Sequence, residues 1–215
     1  MADIFNEVDE DVRKEKSLAL WKSYGKYVIA LAVLIVAGTA GYVGWQNYTV
    51  SQSRSQGAEF EAAAALATDE KHGEAAAAFA GLAESGNSGY RPLAALREAE
   101  AMIAAGEGEK ALLVYERLAA DGSVDTEFSS LASLLAGYYL LDTGTTDQLR
   151  ERIAPLTEPG GLWSASANEL LALSYIKDGD SAKAKEVLAL IQNDAATPED
   201  IKARVSQLLA AIEDK

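Results

Sequence analysis

The chain has 215 residues, with 33 acidic side chains against 19 basic ones and a formal charge of −14. So acidic a chain is repelled by nucleic acid and by anionic headgroups, which argues against a nucleic-acid partner. With no cysteine and a single histidine, it cannot form disulfides, thiolate metal sites, a thiol nucleophile, a lipobox-type lipid anchor or a histidine-rich metal motif.

Residues 1–26 are polar and charged. Ile4, Val8, Val12 and Ala19 recur near helical spacing, which fits a short amphipathic helix on a membrane surface; a disordered tail is the alternative. From Tyr27 to Trp45 the chain reads YVIALAVLIVAGTAGYVGW, nineteen residues without a charge. At ~1.5 Å per residue this run reaches about 28 Å, close to the hydrocarbon thickness of a bilayer. A buried core helix is rarely apolar all round over five turns. A cleaved signal has a shorter apolar region followed by an A-x-A-like site, and the nearest such string, Gly38-Thr39-Ala40, lies inside the run. The expectation is an uncleaved transmembrane helix.

Trp21, Tyr24 and Tyr27 flank one end of the run, and Tyr42, Trp45 and Tyr48 the other, as interfacial rings do. Arg13, Lys14, Lys16, Lys22 and Lys26 precede it, whereas only Arg54 occurs in the twenty-five residues after it. The positive-inside rule then puts the N-terminus in the cytoplasm and the rest across the membrane. Ala37 and Gly41 are four apart, as are Ala40 and Gly44. That spacing lets a second helix approach, although glycine and alanine are common in membrane helices in any case.

The polar string Gln46–Gln56 reads as a helical linker. Beyond it, apolar residues recur at three and four, with Gly, Asn, Asp or Pro as punctuation every 15–20 residues: helical hairpins rather than strands. One pattern repeats: Ala75, Phe79, Leu82; Ala111, Tyr115, Leu118; Leu149, Ile153, Leu156; Ala184, Leu188, Ile191. Its first members are 36, 38 and 35 residues apart. Each set follows a turn: Lys71-His72-Gly73-Glu74, Gly106-Glu107-Gly108-Glu109, Gly144-Thr145-Thr146-Asp147 and Gly179-Asp180-Ser181. His72 is expected to be a solvated loop residue. Units end at Asn87-Ser88-Gly89, Asp121-Gly122-Ser123 and Glu158-Pro159-Gly160-Gly161. Thr197-Pro198-Glu199-Asp200 starts a last helix, with Thr197 as its cap and Pro198 in its first turn.

The period, and the alanine five residues after the turn glycine in the last unit (Gly179, Ala184) and in the second (Gly106, Ala111), resemble the tetratricopeptide repeat. The third unit is degenerate and the early tryptophan of that pattern is missing, which leaves a generic helical hairpin array as the alternative. The expected fold is all-α: one transmembrane helix, then a tetratricopeptide-like α-hairpin solenoid of about four degenerate repeats with a C-terminal capping helix. The expected divisions are a tail 1–26, a membrane helix 27–45, a linker 46–56 and a repeat domain 57–215.

The resemblance places the first helix of each hairpin along a groove. Register taken from the second helices puts Phe60, Leu96, Glu100, Leu134, Tyr138, Glu169, Leu173 and Ile176 there, with Lys177; the alternative for any one of them is a place in the core. Such a groove suits a hydrophobic or basic extended segment, or a partner's helix. No phosphate loop and no GxSxG motif occurs. The expectation is therefore a protein that is not an enzyme and uses no cofactor or metal.

The string Ile4–Lys16, IFNEVDEDVRKEK, then Leu20-Trp21-Lys22 and the glycine-bearing run ending at Gly44-Trp45, resemble the YfgM-like family of bacterial inner-membrane proteins. That resemblance implies an ancillary subunit of the SecYEG translocon, with a periplasmic repeat domain working beside a membrane-anchored periplasmic chaperone or peptidyl-prolyl isomerase. An adaptor for envelope assembly or cell division is the alternative.

Overall fold

A computed structural model describes residues 2–213, and the side chains of residues 18 and 20–212. The proposed amphipathic face of Ile4, Val8, Val12 and Ala19 lies outside the described side chains, as do Arg13, Lys14 and Lys16. Among the described residues the regular structure is helical: α1 (Ala2–Thr68), α2 (His72–Ser85), α3 (Tyr90–Ala104), α4 (Gly108–Ala120), α5 (Thr126–Thr143), α6 (Thr146–Ile153), a 3-10 turn (Ala154–Leu156), α7 (Ser164–Lys177), α8 (Ser181–Asn193) and α9 (Glu199–Glu213). The chain divides into two compact units between Arg54 and Ser55.

In the first unit the apolar run presents its side chains outward on every side; Leu34 is 69% exposed and Val36 68%. The run is long and apolar enough to cross a membrane. Its backbone bonds close within the helix, and the Thr39 hydroxyl donates to the Ile35 carbonyl at 2.7 Å, so hydrocarbon around it would leave neither its backbone nor that hydroxyl unmet.

The second unit is an array of hairpins, paired as the last turns of α1 with α2, α3 with α4, α5 with α6, and α7 with α8. Each second helix packs on the first helix of its own hairpin and on the next one, and α3 meets α5, α5 meets α7, and α7 meets α9. The repeating pattern is the buried seam of the second helices. Ala75, Ala111, Leu149 and Ala184 are fully buried, as are Ile153 and Leu188, with Phe79, Tyr115, Leu82, Leu118 and Ile191 nearly so. Leu156 has left its helix for the 3-10 turn and is half-buried. Each leading residue stands four places after its helix's N-cap: Lys71, Glu107, Thr145 and Asp180.

Three of the four turns share one backbone solution. Before the N-cap stands a left-handed residue: Glu70 at φ 62°, Gly106 at 81° and Gly179 at 80°. Around each, the N-cap amide reaches back to the first helix: Lys71 to Leu66, Glu107 to Met102 and Asp180 to Tyr175, at 2.8–2.9 Å. This motif closes a helix through one left-handed residue, usually glycine. The first turn was expected around Lys71-His72-Gly73-Glu74; the structure places His72 and Gly73 inside α2 and gives the left-handed position to Glu70. In the third turn, Gly144 has φ −101° and Thr145 and Gln148 form a capping box instead.

At the far end α9 begins at Glu199, not directly after Thr197. The Pro198 carbonyl accepts from the amides of Ile201 and Lys202, each at 3.1 Å, so Pro198 occupies the capping position. The Thr197 hydroxyl is buried without a hydrogen-bond partner, so the expected threonine cap is not made. Val205 and Ile212 of α9 close the last apolar cluster, with Ala172, Ala184, Leu188 and Ile191. At the third hairpin the close contact is set by Gly137, where a Cβ would stand 2.7 Å from Ile153 Cγ2 and 2.8 Å from Leu170 Cδ2.

Candidate functional site

The first helices present a face that carries a cleft of about 390 Å³. Phe60 and Ala64 of α1, Phe79 of α2, and Arg97, Glu100 and Ala104 of α3 line it. Phe60 meets Phe79 edge-on, with ring centroids 5.2 Å apart, and leans towards Tyr90 at 6.0 Å. The floor is thus aromatic and fixed by its own packing. On the rim, Arg97 donates to Glu100 at 2.6 Å, both exposed. His72 opens α2 and lines the same cleft, half-buried, rather than lying in a loop. An apolar floor with a few polar groups at its edge is the usual form of a binding cleft.

The structure brings Phe60 and Glu100 together here, and Tyr138 and Glu169 together elsewhere. Glu169 on α7 is buried, and Arg204 of α9 clasps it, Nε to Oε1 at 2.9 Å and Nη2 to Oε2 at 2.7 Å. Both carboxylate oxygens are therefore engaged within the chain. The fork holds the Arg204 guanidinium above its ordinary pKa, first through the hydrogen bond and then through the charge of Glu169. Tyr138 is 43% exposed; desolvation, then the negative charge of Glu169, raise its hydroxyl pKa. Lys177 donates to the carbonyl of Leu141 at 2.6 Å, tying the end of α7 to the end of α5.

Leu96 is in the core with Ala99, Ala111 and Tyr115, and Leu134 in the core with Leu149, Ile153 and Leu170. They offer no groove surface. On α3 the open positions are Arg97, Glu100 and Ala104, one residue round from Leu96, and one residue is 100° of helix. Ile176 is half-buried against the α8–α9 cluster, and Leu173 is half-buried. Ala37, Ala40, Gly41 and Gly44 lie exposed on α1, and a Cβ at either glycine would meet nothing within 4 Å.

Sequence reasoning missed Arg97, Arg204 and the place of His72. One signal was available for Arg204: Glu169 and Arg204 are 35 positions apart, one repeat length, which sets residues side by side on successive first helices. Arg152 and Glu116, 36 apart, are paired across successive second helices. Among the described residues no group of three or more His, Asp or Glu could hold a metal.

Helical hairpins stacked neighbour on neighbour, with their first helices lining an open face, define a tetratricopeptide-like array. A family model described as a tetratricopeptide repeat-like domain matches residues 19–190, and the chain belongs to that family. The matched stretch takes in the apolar run as well as the hairpins. No curated protein and no solved structure matches the chain.

Proposed function

We propose that the protein is a membrane-anchored scaffold that acts by holding other proteins, not by catalysis, as an ancillary subunit of the SecYEG translocon. The cleft over Phe60 and Phe79 carries this reading: an aromatic floor with a polar rim on the first-helix face accepts an apolar side chain of an extended segment or helix. The family match supports it, since it includes the apolar run and so favours a retained anchor over a removed leader. The basic residues before the run favour a cytoplasmic N-terminus and a periplasmic array. The resemblance of the opening residues to the YfgM-like family supplies the translocon, and with it a membrane-anchored periplasmic chaperone or peptidyl-prolyl isomerase as neighbour.

Photo-crosslinking groups at Arg97 and Ala104, on the cleft rim, test this in cells. Adducts with translocon subunits or an envelope chaperone are the expected result; their absence, with adducts to assembly or division proteins instead, would move the assignment to an envelope adaptor. A reporter fused at the C-terminus that is active only in the cytoplasm would overturn the topology.

A further inference from the structure

The opposite face of the array, built from second helices, carries a narrower cleft of about 100 Å³ between α2 and α4, floored by α3. Ala80 and Ala83 of α2, Ala95 of α3, and Val114 and Leu118 of α4 give it hydrocarbon walls. Glu98 lines it from below and is only 6% exposed. Among the described residues its carboxylate has no hydrogen-bond donor and no cation within ion-pair distance. Arg117 and Glu84 line the same cleft, the first attracting the carboxylate and the second repelling it, while Arg91, also in the lining, faces Asp121 at 3.6 Å. The acids Glu84, Glu98 and Asp121 thus outnumber the bases Arg91 and Arg117. Burial accordingly pushes the Glu98 carboxyl up from its ordinary range.

A carboxylate on a residue so little exposed, with no donor from its own chain and open only to the cleft, is the kind of group that proteins usually complete with a partner. The donor that fits here must be cationic, must arrive on a slim aliphatic stem to match the walls, and must be a single side chain to suit the volume. A lysine meets all three conditions, with its methylenes along alanine and valine and its compact ammonium on the carboxylate. Residues 46–215 carry 27 acids and 14 bases, so the surroundings attract a basic segment before it docks.

We propose that the α2–α4 cleft is a second protein-binding site, in which Glu98 receives a lysine side chain of a partner. It is separate from the cleft over Phe60, and either can fail without the other.

The test uses the full chain in nanodiscs of neutral phosphatidylcholine, with the peptide acetyl-Ala-Ala-Lys-Ala-Ala-amide as probe and its norleucine and arginine analogues as controls. The lysine peptide should bind best, and Glu98→Gln should raise its Kd about tenfold, the loss of one charged hydrogen bond. Glu186→Gln, which removes an exposed acid on α8, should change it by less than about twofold. Carbodiimide coupling of the peptide to the unmodified chain should mark Glu98 ahead of Glu186, and Ala80→Leu, which narrows the cleft, should suppress that adduct. Equal effects of the two Gln variants, norleucine binding as well as lysine, tighter binding of arginine, or coupling spread evenly over surface acids would each overturn the proposal.

Discussion

The apolar run of α1 and the buried seam of the second helices share alanine, leucine, isoleucine and aromatic rings, yet their surroundings are opposite. Leu34 in the run is 69% exposed, whereas Phe79 in the seam is 2% exposed. In the run, apolar residues point in every direction and stay exposed. In the seam they return at every third or fourth place, with charges between. Composition therefore does not decide what a helix packs against; the angular spread of its apolar residues does.

The contrast can be broken first at its deepest point. Phe79→Ala should remove about 3–5 kcal/mol from unfolding of the array, the usual range for a phenylalanine truncated in a core. Leu34→Ala should leave that unfolding unchanged, in chemical denaturation of the full chain followed by circular dichroism. Next come the glycines. Gly137→Val, against Ile153 and Leu170, should destabilise by about 1–3 kcal/mol through overpacking, while Gly41→Val should have no effect on the same transition.

A polar contact sharpens the comparison within the array. Arg204→Met leaves the buried Glu169 carboxylate without its donors. Since the arginine is half-exposed, the loss should be about 1–2 kcal/mol rather than that of a fully buried pair. Changing Glu169→Leu in the same chain should recover most of it, read as a double-mutant cycle. The smallest effect belongs to the first turn. Glu70→Gly should stabilise by about 0.5–1 kcal/mol, relieving a left-handed residue with a side chain; an unchanged or lower midpoint would show that the turn carries no strain.

Much of this fold is legible in the sequence. The spacing of Ala75, Ala111, Leu149 and Ala184 marks four equivalent helix positions, because a second helix gripped from two sides must repeat an apolar residue at its most buried point. The first helices are less readable. α5 buries Ala132, Leu134, Ala136, Gly137 and Leu140, spread round so much of the helix that no polar stripe announces its register. For that reason Leu96 and Leu134 could not be told from groove residues. The left-handed turn at Glu70 was hidden because glutamate is an unusual occupant and Gly73, three places on, was the obvious breaker. Glu169 and Arg204 become visible only when acids and bases are compared one period apart.

The last turns of α1 serve the array as the first half of its first hairpin: Phe60, Ala63 and Ala64 pack with Ala75, Phe79 and Leu82. Anyone cutting out a soluble fragment would be tempted to begin at the first visible loop, near Lys71. A protease clipping there would strip one wall from Phe79 and leave its ring facing water, and the stack would unzip from that end. Excision at or before Ser55 keeps the pair whole, so the useful starting point lies within a helix and not at its end.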